Sequence, residues 1–289
     1  MMSHDESVDR DAITGTLQAA GDFAYVDSAL VGYFEDGGMK FYLTLDVVEQ
    51  KDASRRMTFA PAPAGEHADP EGLIADWQAF EAKVFELMNA GTLSPKRVDC
   101  PAFHCFGDPA HEALCAWAAK FAERVPRHRD ELVAILREDR REDFRGAAAY
   151  LLAYTHDGNE LVRVLQPSIR DESSFVRNSV MRVLADIALH HPEIEIPLNP
   201  VLAALDFPTT TDRNKAAAVV AWTLEKRGVS AETRRSVIDH AGPTLLAMLR
   251  LQQPNNHDLA YTILKAVSGE AYGERDHTAW EAWLRRRRQ

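Results

Sequence analysis

Residues 171–188 read DESSFVRNSVMRVLADIA. Val176, Val180, Val183, Leu184 and Ile187 fall at i, i+4, i+7, i+8 and i+11, which puts them on one face of a helix. Asp171 stands six residues before Arg177. A helix of this kind cannot bury its apolar face alone, so neighbours of the same kind are sought along the chain. They exist. Arg145, Arg177 and Arg213 each open a run of small and apolar residues, and His257 opens a looser fourth copy; the offsets are 32, 36 and 44. Asp139 precedes Arg145 by six residues, and Asp206 precedes Arg213 by seven.

A second kind of segment alternates with these runs. ELVAIL (131–136), ELVRVL (160–165), PVLAAL (200–205) and TLLAML (244–249) each end on a leucine. Ala147–Ala149 and Ala216–Ala218 provide small surfaces where helices can approach closely. Four alternating pairs predict stacked two-helix repeats over about residues 130–270. Ahead of them, a helix from Pro109 to Val125 carries Leu114, Trp117, Phe121 and Val125 on one face. At the far end Asp276 caps a short helix whose Trp280, Trp283 and Leu284 cover the last repeat.

The motif Asp, four residues, Val-Arg, then a small/apolar helix resembles the second helix of HEAT repeats, an armadillo-like α-solenoid family. The C-terminal tail is similar to the ends of some bacterial HEAT-like proteins. The resemblance implies a mainly α fold, a solenoid of about four helix pairs, and a concave groove lined by the second helices. It also implies a scaffold function, with a protein or peptide partner and no enzymatic activity or cofactor. Related HEAT-like families include a DNA glycosylase and a bilin lyase, which stand as the enzymatic alternative.

The first hundred residues differ in kind. They carry 18 acidic and 8 basic side chains, whereas residues 101–289 carry 26 and 25; the chain total is −11. Residues 29–48 predict a hairpin: an apolar run 29–34, a Glu35-Asp36-Gly37-Gly38 turn, then Phe41, Leu43, Leu45 and Val47 alternating with polar positions. Residues 56–60 predict a third strand. Asp69 and Pro70 start a helix bearing Leu73, Ile74, Trp77, Phe80 and Val84, which Gly91 ends. The division expected is a polar tail at 1–10, an acidic α+β element at 11–100, and the solenoid with its capping helix at 101–289.

The acidic balance and the absence of a basic stripe argue against nucleic acid. No apolar run reaches the roughly 18 residues of a membrane span. Three cysteines make no disulfide framework, and the expectation is a reducing, cytoplasmic compartment. No Walker, GxGxxG, GxSxG or HExxH motif occurs.

Candidate sites follow from the repeat positions. Arg145, Arg177, Asn178, Arg182, Arg213, Asn214 and Lys215 are the residues expected to meet a partner. The competing reading for the arginines is a ladder with Asp139, Asp171 and Asp206 that ties repeats together. Cys100, His104, Cys105, His111 and Cys115 lie within sixteen residues, a density that would suit zinc and a metal-dependent regulator, and Cys105 beside His104 is a nucleophile candidate.

Overall fold

A computed structural model describes residues 9–35, 38–93 and 100–287. Four antiparallel helix pairs form its body: α5 (Arg129–Glu138) with α6 (Glu142–Leu151), α7 (Gly158–Leu165) with α8 (Ser174–His190), α9 (Leu198–Ala204) with α10 (Thr210–Arg227), and α11 (Ala231–Leu249) with α12 (Pro254–Ser268). These are the repeats expected from the alternating segments. The second helices stack directly on one another, α6 on α8, α8 on α10 and α10 on α12. Their small residues permit this: Ala147, Ala148, Ala149, Ala216 and Ala217 are all buried. Helix starts use side-chain caps: the Ser173 hydroxyl accepts from Phe175 N–H, and Thr209 from Asp212 N–H. Helix α13 (His277–Arg287) closes the array with Trp280, Trp283 and Leu284 buried, and Asp276 accepts from Ala279 N–H at 3.1 Å.

Ahead of the first pair lie α1 (Arg10–Ala20), an antiparallel hairpin of β1 (Phe23–Glu35) and β2 (Gly38–Glu49), a short α2 (Ala53–Arg56), α3 (Leu73–Asn89) and α4 (Cys115–Arg124). The expected helix from Pro109 begins later, at Cys115, after a turn in which Leu114 N–H bonds the His111 carbonyl. Asp69 does cap the helix after it, accepting from Ile74 and Ala75 N–H across an intervening turn with Glu71 and Gly72 at positive φ. The hairpin tip, residues 36–37, lies outside the described residues.

Residues 56–60 are not a third strand. The segment after α2 is an extended strap laid along one edge of the solenoid. Ala60 N–H donates to the Arg170 carbonyl, Gly65 N–H to that of Glu138, and Arg140 N–H to that of Gly65. Pro61 and Pro63 fix φ and remove donors, which suits an extended run with few backbone partners. Gly65 is required: a Cβ there would lie 2.6 Å from the Glu138 carbonyl oxygen. Beyond the strap, α3 packs on α4 and α6 and contributes Leu73, Ile74, Trp77, Phe80 and Val84 to the same core as the repeats. In packing terms, α3 therefore belongs with the helical body that follows it.

Candidate functional site

Under the strap runs a buried chain of ion pairs. Arg145 donates from Nε and Nη2 to Asp171 at 2.9 and 2.8 Å, and from Nη1 to the Asp139 carbonyl at 2.8 Å. Arg177 repeats the pattern one unit on: Nη2 to Asp212 at 2.7 Å, Nη1 to the Asp171 carbonyl at 2.8 Å. Each arginine thus holds a carbonyl of its own repeat and a carboxylate of the next. Burial alone would lower the Arg145 pKa, but the hydrogen bonds and charge of Asp171 outweigh it and the net shift is upward.

Both ends of the ladder are closed by the N-terminal part of the chain. Asp139 has no arginine from a preceding repeat; it accepts from Arg141 and from His67 N–H of the strap. Arg213 has no carboxylate from the fourth repeat; it takes Asp46 of β2 at 2.5 Å. The same Asp46 accepts from Thr210 N–H at 2.7 Å. In the fourth unit His257 stands where the arginine was, buried, with Nδ1 at 2.7 Å from the Leu249 carbonyl.

These placements correct several expectations. Arg145 and Arg177 are 0% and 2% exposed, so they are consumed inside the ladder and cannot meet a partner. Asn214 is buried. Arg213 is held by Asp46. Asp206 is not a ladder residue: its loop is one residue longer, so it turns to Arg55 and Arg56, and Asp212 takes its place.

Asn178, Arg182 and Lys215 do reach a groove on the second helices. Asn178, Arg182 and Asp186 follow one another at four-residue steps on α8; Thr211 of α10 lines the same cavity as Asn178 and Arg182, and Lys215, one turn on, lies close enough to feel the charges of Arg182 and Asp186. Arg182 Nε donates to Asn178 Oδ1 at 2.7 Å. The end of the groove toward α3 is a cavity of about 350 Å³ walled by Glu81, Phe85, Phe106 and Tyr150. Two groups, Glu81 in its wall and Lys215 beside Arg182, resist charging. Burial pushes the Glu81 carboxyl up against the opposing pull of Arg182. Burial and then the charge of Arg182 bring Lys215 down to about 8, with Asp186 opposing.

The cysteine-histidine cluster does not assemble. Cys100 and Cys105 are joined in a disulfide, with Cα atoms 5.8 Å apart, which removes both from metal binding and removes Cys105 as a nucleophile. His104 turns inward, its Nδ1 2.9 Å from Asp186 and its ring stacked on Tyr150. His111 accepts from Ala113 N–H, and Cys115 is exposed. No group of three metal-ligating side chains occurs among the described residues. A disulfide also sits badly with the reducing compartment expected from the cysteine count. Labelling native protein with N-ethylmaleimide should tag one cysteine per chain, and three after reduction; intact mass gives the count, and three tags without reductant would exclude the bond. No helix among the described residues is long and apolar enough to cross a membrane.

Sequence reasoning missed Glu81, Tyr150 and Asp186. Asp186 was legible, since it continues the Asn178–Arg182 stripe. Glu81 and Tyr150 were not, because their place depends on α3 folding back over α6.

No protein-family model and no curated protein matches the chain. Among solved structures it is similar to a designed armadillo repeat protein, at 20% identity and a TM-score of 0.40, over 69% of this chain and 95% of that one. The mainly α repeat fold described above rests on the pairing of helices within this chain.

Proposed function

We propose that the chain is a non-enzymatic binding scaffold whose groove takes a protein segment presenting an acidic side chain to Arg182 and Lys215. The observation that carries this reading is the state of Lys215. Among the described residues it makes no hydrogen bond or ion pair, yet it is largely buried beside a second cation. An incoming carboxylate would satisfy both charges at once, in a site where charge-assisted hydrogen bonds are the strong ones. Phe85 and Phe106, in the cavity beside Arg182, supply apolar surface for the rest of a peptide.

Selection from a random peptide library tests the reading. Enriched peptides are expected to share an Asp or Glu at one position. Arg182→Glu with Lys215→Glu should weaken the best peptide at least tenfold, the scale of losing one charge-assisted contact. Lys215 is charged below about 8 and neutral above it. Binding should therefore weaken as pH rises through that value, and Lys215→Met should flatten the dependence. Enriched peptides with no acidic residue, or peptides that bind the charge-reversed protein equally well, would overturn the proposal.

A further inference from the structure

We propose that a second site, a cleft between the hairpin and α11, binds an aliphatic carboxylate. The cleft encloses about 590 Å³, in the range typical of small-molecule sites, and shares no residue with the groove. It has two chemically distinct ends.

One end is cationic. Arg55, Arg56 and Arg213 converge there with Asp46 and Asp206, and Asp52 pairs Arg55 from the flank at 3.2 Å. Both carboxylates are already committed. Asp46 holds Arg213 and Thr210 N–H. Asp206 holds Arg55, meets Arg56 at 3.6 Å and accepts from the Thr244 hydroxyl at 3.4 Å. Arg56 is mostly buried, yet its Nε and Nη1 find the carbonyls of Asp206 and Val47 at 2.9 and 3.1 Å, and its Nη2 donates to nothing among the described residues. That Nη2 edge lies on a residue lining the cleft and is open to an acceptor on a ligand. Burial, and then the charges of Arg213 and Arg55, lower the Arg56 pKa against the opposing pull of Asp52 and Asp46.

The other end is apolar. Leu45, Pro243, Ala247, Met248 and Leu251 line it with no charged side chain among them. Leu45 is 45% exposed, more than a hairpin side chain facing its own core would be. A ligand with one carboxylate and a short hydrocarbon chain matches both: the carboxylate for the free Nη2 of Arg56 and the exposed Arg55, with the chain along α11.

Calorimetric titration of the full-length protein with decanoate, below its micellar concentration, tests this. One saturable site is expected, with decanol and acetate each at least about tenfold weaker. Arg55→Ala, at an exposed position, should weaken decanoate about tenfold. Ala247→Trp, also exposed, should abolish binding by filling the cleft, and Leu45→Ser should weaken it from the opposite wall if the tryptophan variant does not fold. No binding, equal binding of decanol, or decanoate affinity unchanged in these variants would overturn the assignment. So would a concentration-dependent dimer that Ala247→Trp disrupts, because the apolar wall would then be the seat of a second copy.

Discussion

Replacing Arg177 with methionine is expected to lower the stability of the protein by about 3–5 kcal/mol, the cost of removing one partner of a buried ion pair. Methionine keeps much of the apolar stem, so the loss is polar. Asp212 is fully buried and would lose its bonds to the guanidinium, and the carbonyls of Asp171 and Glu172 would lose their donor. The strap would loosen too, because the guanidinium sits 4.0 Å from the centre of the Phe59 ring. Urea unfolding measures the effect through the midpoint at constant slope. Arg182→Met, on the same helix but facing the groove, should change stability by no more than about 0.5 kcal/mol. The pair separates an arginine buried in the ladder from one that faces the groove. Equal losses at both positions would mean that the ladder is not what holds the repeats in register. The double variant Arg177→Met with Asp212→Leu should recover part of the loss, since no buried charge is then left alone.

How the repeats were legible, and the ladder only partly so, has a physical explanation. Helix pairing follows from local spacing: the leucines of 131–136 and 160–165 and the valines of 176–183 need only their own helix to declare a face. The ladder arginines were also recognisable, since Arg145 and Arg177 sit at one repeat position. Which carboxylate each would choose was not legible, because an arginine reaches into the next repeat and one extra residue in the third unit exchanges Asp206 for Asp212. The two ends of the ladder lay further from local pattern still. Asp46 closes it from 167 residues away, and alternation in β2 says only that Asp46 and Thr44 share a face, not that this face meets α10. Residues 56–60 show the same limit: Met57 and Phe59 read as strand, yet among the described residues no strand pairs with them, and the segment's partners are the Arg170 carbonyl and guanidinium and the Arg177 ladder position. The groove was half legible. Asn178, Arg182 and Lys215 follow from helical periodicity, while Glu81 and Phe106 enter through elements that pack onto the repeats from outside them. Three cysteines make no disulfide framework and suggest a reducing compartment, but an odd count rules out only complete pairing, and residues 100 and 105 need only a short loop to meet.

Trp77→Ala is expected to be as damaging as the loss of Arg177, at about 3–5 kcal/mol, and its consequences should cross the expected boundary near residue 100. Trp77 is 2% exposed. Its ring stacks on Tyr150 of α6 with centroids 5.0 Å apart and lies 5.8 Å from Phe121 of α4 and 5.3 Å from Phe80 of its own helix. An alanine there leaves a cavity among aromatic rings anchored on three different helices, none of which can move into it without leaving its own neighbours. In a stacked array, stability is set largely by nearest-neighbour interfaces, so a loss at the first one propagates by proximity. Hydrogen exchange followed peptide by peptide should therefore show protection falling in α3, α4 and α6 together, with α12 least affected. The open inner end of the array needs a cover as the last pair does, where α13 packs on α11 with Trp280 and Trp283 buried, and α3 provides it with Trp77. If exchange rose in α3 alone while α4 and α6 kept their protection, the acidic N-terminal hundred residues would be an independent unit after all, and the groove wall formed by Glu81 and Phe85 would be an accessory to the repeats instead of part of their body.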